Sequence, residues 1–140
     1  LVWGEAFGDS FDDIKYFEEN VQNAKCLAYY DNESICSLLY LVDCTLCGEN
    51  QKYVYAVCTL KKYKAKGIAT ELIEYAKKEY GSLCLIPANK SLIDFYKKRG
   101  FTNKYEVDDI EFFESDELKN DYLLVGCELE KPIILSDTEV

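Results

Sequence analysis

The chain has no histidine and no methionine, two prolines among 140 residues, and no long apolar run. Without histidine it lacks the side chain most used as a general base near neutral pH, and the commonest zinc ligand with it. A cysteine nucleophile activated by histidine is excluded for the same reason. Runs such as LLYLV fall far short of the ~20 apolar residues that span a bilayer. No secretory signal is visible, so the expectation is a cytoplasmic protein with no membrane partner. Basic residues are scarce as well: 16 Lys and Arg against 26 Asp and Glu leave a net charge of −10. That balance speaks against nucleic acid, whose phosphates need a basic face. It permits a cationic partner such as an amine, although an acidic surface also serves solubility.

What is present describes a globular domain. Hydrophobic residues make up 49% and aromatics 14%, enough for a sizeable core, and the length suits one domain over residues 1–140. Seven cysteines without an export signal suggest free, mostly buried thiols in a reducing compartment. Cys44 and Cys47 form a C-x-x-C, but Cys26, Cys36, Cys58, Cys84 and Cys127 are scattered singly. A zinc site needs two further ligands at suitable spacing. The pair therefore reads as two residues flanking a hairpin, and no metal is expected.

Periodicity orders the chain. Trp3 and Phe7 sit four apart on a first helix, and Ser10 with Asp13 forms a capping-box pattern ahead of Phe11, Ile14, Phe17 and Val21. KCLAYY reads as a strand, DNES as a turn, ICSLLYLVDC as a longer strand, and YVYAVCTL as its hairpin partner. Ile68, Leu72, Ile73, Ala76 and Tyr80 recur at helical spacing, which predicts a helix over 67–80 stopped by Gly81. SLCLIP is short and wholly apolar, the pattern of a strand buried on both faces. NKSLIDFYKKRGF predicts a second helix that ends at Gly100. KYEVDDIEFFE and DYLLVGCELE read as two further strands around the acidic loop SDELKN, and residues 131–140 as a tail. Helices, three strands, helix, strand, helix and two strands imply an α/β fold with a sheet of mixed direction.

Four of the sixteen basic residues gather in KKYKAK, followed at once by Gly67-Ile68-Ala69. A helix starting there exposes backbone N–H groups with no intrahelical acceptor, at the positive end of its dipole. Gly67 and Ala69 leave room for an anion to approach the backbone, while Lys64 and Lys66 add charge. The alternative is a solvated strand-to-helix connection. The stretch is neither a Walker loop nor a dinucleotide fingerprint, since G-x-x-x-x-G-K-[ST] and G-x-G-x-x-G are both absent.

Lys64-Ala65-Lys66-Gly67-Ile68-Ala69 resembles the pyrophosphate loop of the GNAT acetyltransferase superfamily, Arg/Gln-x-x-Gly-x-Gly/Ala after a strand. Downstream, Asn89 and the Tyr96-x-x-x-Gly100-Phe101 run resemble the second signature of that superfamily. WGEAFGDS and YVYAVCT are similar, more loosely, to a Firmicutes-type branch. The resemblance covers nearly the whole chain and implies a mixed, mostly antiparallel central sheet flanked by helices. It departs in two places. Lys64 stands where arginine or glutamine is usual, which loses the planar guanidinium fork. The first strand of the fold is also not apparent before Trp3, so it is missing or the sheet begins with KCLAYY.

The resemblance implies direct transfer of an acetyl group from acetyl-CoA to an amine of a small molecule or peptide, without metal, by a monomer or homodimer. Val57 and Thr59 correspond to positions whose backbone pairs with the pantetheine arm, and an N–H near Val57 or Cys58 would polarise the thioester carbonyl. The N–H groups from Ala65 through Lys66, Gly67, Ile68 and Ala69 to Thr70 would take the pyrophosphate. Tyr96 matches the general acid that protonates the departing thiolate. Asn89 would cap its helix, contact CoA, or both. Tyr55 stands where many relatives carry a glutamate base, so it is assigned to the acceptor cleft and no base is named. The alternative is a non-catalytic acyl-CoA-binding or sensor module of the same fold.

Overall fold

The computed structural model describes residues 25–31, 34–59, 67–112 and 127–139. The two N-terminal helices, the DNES turn and the SDELKN loop expected from sequence fall wholly or largely outside them. Seven strands form one sheet in the order β1-β2-β3-β4-β7-β5, with β6 pairing to β2. They are β1 (Lys25–Asp31), β2 (Ser34–Leu46), β3 (Glu49–Thr59), β4 (Leu83–Leu85), β5 (Asn103–Glu106), β6 (Ile110–Phe112) and β7 (Ile133–Ser136). Among the described residues two helices, α1 (Ile68–Tyr80) and α2 (Lys90–Lys97), interrupt the strands. The sheet is mixed and mostly antiparallel: β3 and β4 run parallel, whereas β1–β2, β2–β6, β4–β7 and β5–β7 run antiparallel.

The chain divides into two compact units, Leu1–Val42 with Val54–Glu79, and Asp43–Tyr53 with Tyr80–Val140. In the first, β1 pairs with β2 from Lys25↔Leu41 to Asp31↔Ser34, with a register shift between Tyr29 and Tyr30. Along α1 the buried residues are Ile68, Leu72, Ile73 and Ala76, the one-sided stripe that its 3.6-residue period requires. Lys77 and Glu74 add a surface ion pair one turn apart at 3.5 Å, worth a few tenths of a kcal/mol at most.

In the second unit, Cys47 and Gly48 form a two-residue turn between β2 and β3 with φ of +51° and +83°, the positive pair that a type I′ hairpin demands. β4 is buried at all three positions, as its apolar run requires. The parallel contact is short: Lys52↔Leu83 and Tyr53↔Cys84 are in register, and β3 continues to Thr59. Tyr53 adds a side-chain link, its hydroxyl accepting from the Ile86 N–H at 3.1 Å. On its other side the Tyr53 ring meets Phe112 edge-on at 5.4 Å.

Three expectations are corrected. The tail expected over residues 131–140 contains a strand: Ile133–Ser136 form β7, paired to β4 on one side and β5 on the other. Ile134, Leu135 and Ser136 are each 0% exposed, so the strand is buried on both faces. Beyond it, Asp137 accepts from the Leu83 N–H at 2.9 Å and donates its own N–H to Leu83 O at 3.2 Å. The run KYEVDDIEFFE is not one strand: a 3₁₀ turn at Val107–Asp109, closed by a reciprocal Glu106–Asp109 capping box, separates β5 from β6. β6 then pairs with β2 instead of β7. In DYLLVGCELE, residues 127–130 are not in a strand, and 121–126 lie outside the described residues.

Leu135→Ala is expected to destabilise the protein by about 2–5 kcal/mol, the usual cost of hollowing a packed core position. Urea unfolding monitored by circular dichroism reads this directly. A change below about 0.5 kcal/mol would restore the tail reading.

Candidate functional site

The two halves of the expected site lie in different compact units, and each has its own local logic. In the first, β3 carries Tyr55, Val57 and Thr59, of which Tyr55 and Val57 are half-buried and Thr59 is buried. The backbone of Cys58 belongs to the strand. Lys64, Ala65 and Lys66 lie outside the described residues. Gly67 has φ of +77°, and among the described residues no atom lies within 4 Å of where a Cβ would stand. That conformation strains any residue with a side chain, so the backbone favours glycine here. Gly67 O accepts the Glu71 N–H at 3.0 Å, which opens the helix at this residue.

Ile68, buried at 8% exposure, anchors the first turn. The N–H groups of Ile68 and Ala69 head the helix, where no carbonyl precedes them within it. Ala69 and Thr70 are half-buried, and Gly67 is exposed. Backbone donors, a helix dipole and an uncovered glycine together suit an oxyanion. Glu71, exposed in the same turn, already interacts favourably with that positive end and lowers what remains for a guest.

In the second unit, Asn89 initiates α2. Its backbone is extended (φ −156°, ψ 176°) and its side chain Oδ1 accepts from the Leu92 N–H at 3.0 Å and from Ser91 Oγ at 2.7 Å. The capping role is therefore filled, a stabilisation of typically ~1 kcal/mol. Tyr96, the last residue but one of the helix, is 8% exposed. Its ring stands edge-on to Phe95 at 5.2 Å and to Phe101 at 5.8 Å. Burial pushes its phenol up to about 12, partly opposed by the Arg99 charge. Arg99 itself lies 3.6 Å over the Phe95 ring and donates to Phe95 O at 2.8 Å. The Phe101 N–H donates to Tyr96 O at 3.1 Å, so the Gly100-Phe101 pair folds back on the tyrosine that precedes it.

Among the described residues the two cysteines of the C-x-x-C do not come together. Cys44 is buried in β2 and Cys47 is exposed in the turn, so the C-x-x-C presents its thiols to different surroundings. Cys44 instead meets Cys84, Sγ to Sγ 3.6 Å. That hydrogen bond, then burial, raises the Cys84 thiol well above its usual value, which keeps it protonated and unreactive. Among the described residues no group of three or more Cys, Asp or Glu is placed to hold a metal ion. A cavity of about 210 Å³ at the starts of β3 and β4 is lined by Asp43, Cys44, Asn50, Gln51, Lys52, Tyr80 and Ser82. It contains none of the residues singled out from sequence and is smaller than an ordinary ligand pocket.

One neighbour of the site was not singled out from sequence. Ser37, wholly buried in β2, lies 2.8 Å from Thr59, Oγ to Oγ1. The available signal was a hydroxyl within the apolar run ICSLLYLV, since a buried polar group needs a partner.

Comparison with known proteins now adds to this geometry. The model of an acetyltransferase (GNAT) domain matches residues 22–103, more than half of the chain. A search of characterised sequences found no match. Among solved structures, a GCN5-related N-acetyltransferase from Anabaena variabilis aligns at 18% identity and TM-score 0.57, covering 75% of this chain. The chain spans only 28% of that protein's length. A GNAT family acetyltransferase from Elizabethkingia anophelis, with acetyl-CoA bound, aligns at 13% identity and TM-score 0.56 over 96% of this chain and 86% of its own. An acetyltransferase from Bacillus subtilis in complex with CoA aligns at 13% identity and TM-score 0.58 over 99% and 90%. At these identities the likeness is one of fold. With the domain match and that fold together, the chain belongs to the GNAT acetyltransferase family.

Proposed function

We propose that the chain is an acetyl-CoA-dependent N-acetyltransferase, a single cytoplasmic GNAT domain of the Firmicutes type, monomeric or homodimeric. It moves the acetyl group directly to a primary amine of a small molecule or peptide. The observation that carries this reading is Gly67, left-handed and uncovered at the head of α1, within the segment that matches the family's pyrophosphate motif. The CoA-bound neighbours support it. No helix among the described residues is long and apolar enough to cross a membrane.

In this reading Ala65 to Thr70 grip the pyrophosphate, with Lys64 and Lys66 adding charge. The backbone at Val57 and Thr59 aligns the pantetheine, and an N–H at Val57 or Cys58 holds the oxyanion. The amine nitrogen attacks the thioester carbonyl, a C–N bond forms, and collapse of the tetrahedral intermediate breaks the C–S bond. Tyr96 gives its proton to the departing thiolate, and the new amide nitrogen loses one to water. A phenol held near 12 stays protonated over the whole working range, and giving its proton to a thiolate costs more than it would at the ordinary value of about 10. The sign is consistent: a raised pKa favours the neutral form, and the associated stability is lost only as pH rises from 10 through 12. Tyr55 lines the acceptor cleft and Asn89 holds the start of α2.

A second reading is a non-catalytic acyl-CoA-binding module, favoured by the near-complete burial of Tyr96 and by tyrosine at position 55. Release of free thiol from acetyl-CoA over an amine panel, corrected for hydrolysis, separates the two. Amine-dependent release supports the enzyme; tight acetyl-CoA binding without release supports the module. Tyr96→Phe is expected to lower kcat by roughly 10²–10⁴-fold, the ordinary range for a lost proton donor, with acetyl-CoA affinity nearly unchanged. Unchanged kcat in Tyr96→Phe would contradict the assignment.

A further inference from the structure

We infer that Ser37 and Thr59 form a positioning pair that holds the last residues of β3 in the geometry needed to receive an extended acyl carrier. The inference rests on the acetyl-CoA reading and adds to it a residue outside both family signatures. Thr59 is the final residue of β3. Its side chain reaches back to Ser37 of β2, 22 residues earlier, with the two oxygens 2.8 Å apart. Ser37 is 0% exposed and Thr59 9%, so neither hydroxyl has ready access to water, and a buried hydroxyl without a partner is costly.

The placement matters more than the bond alone. A strand end that stands before a connecting segment frays unless something holds it. Here the held residue is one whose backbone is assigned to pair with the pantetheine amides. Pairing an extended ligand onto a strand works through main-chain groups at fixed spacing, so a shift at Thr59 misplaces those groups at Val57 and Thr59 together. Ser37 and Thr59 act through the backbone and touch no reacting atom; they are positioning residues.

The test uses the full chain and acetyl-CoA as probe, at a temperature where every variant is fully folded. Thr59→Val, nearly isosteric, and Ser37→Ala are each expected to raise the Kd for acetyl-CoA roughly five- to tenfold. Amide exchange at residues 57–59 of the ligand-free protein should speed up in both single variants. A purely structural role would lower melting temperature and leave Kd untouched, and that result overturns the inference. If wild type itself fails to bind acetyl-CoA, the proposed function falls and this inference with it. Normal wild-type binding with unchanged variants overturns the inference alone.

Discussion

The parallel contact between β3 and β4 is only two residue pairs long, yet the organisation of the chain depends on it. Antiparallel strands can be joined by a tight turn, but parallel ones need a crossover, and a helix is the usual solution. α1 is that crossover. Eight residues, 60–67, separate the end of β3 at Thr59 from the start of α1 at Ile68. Bare N–H groups and a positive dipole then arise from topology without dedicated side chains. The left-handed Gly67 keeps that helix head uncovered.

β4 is three residues long and could not support such a contact by itself. Its other edge is held by β7 through Cys84↔Ser136 and Leu85↔Leu135, and both of its end groups at Leu83 are held by Asp137. Ser136 adds an internal polar link: its Oγ lies 3.1 Å from Leu83 O and 3.0 Å from Gln51 Oε1 of β3. Three strands are therefore joined through one buried serine. Segments distant in sequence secure the short parallel strand on which the crossover depends.

Helices were the most legible elements in the sequence. α1 and α2 declared themselves through 3.6-residue periodicity, the Asn89 cap and glycines at their ends, all of which are local signals. β4 was legible because a short apolar run between glycine and proline has few other fates. β7 was not, because Ile133-Ile134-Leu135 is brief, follows Pro132 and runs into a polar end. Its strand character comes from neighbours on both edges, which no local window contains. The break at Val107–Asp109 was hidden for a related reason: alternation continues through VDD, and only the Glu106–Asp109 capping box distinguishes the turn. For the site, the glycine and the tyrosine were readable as motif positions, whereas Ser37 was silent until its partner across the sheet was known.

The account turns on whether the head of α1 holds the CoA pyrophosphate. Isothermal titration of acetyl-CoA into wild type and into Gly67→Glu tests this most directly. A side chain there is strained at φ of +77° and brings a carboxylate to the proposed phosphate position. Binding by wild type with at least tenfold weaker affinity in Gly67→Glu is the predicted result, with both proteins shown to be folded by circular dichroism. Equal affinity in the two would contradict the account.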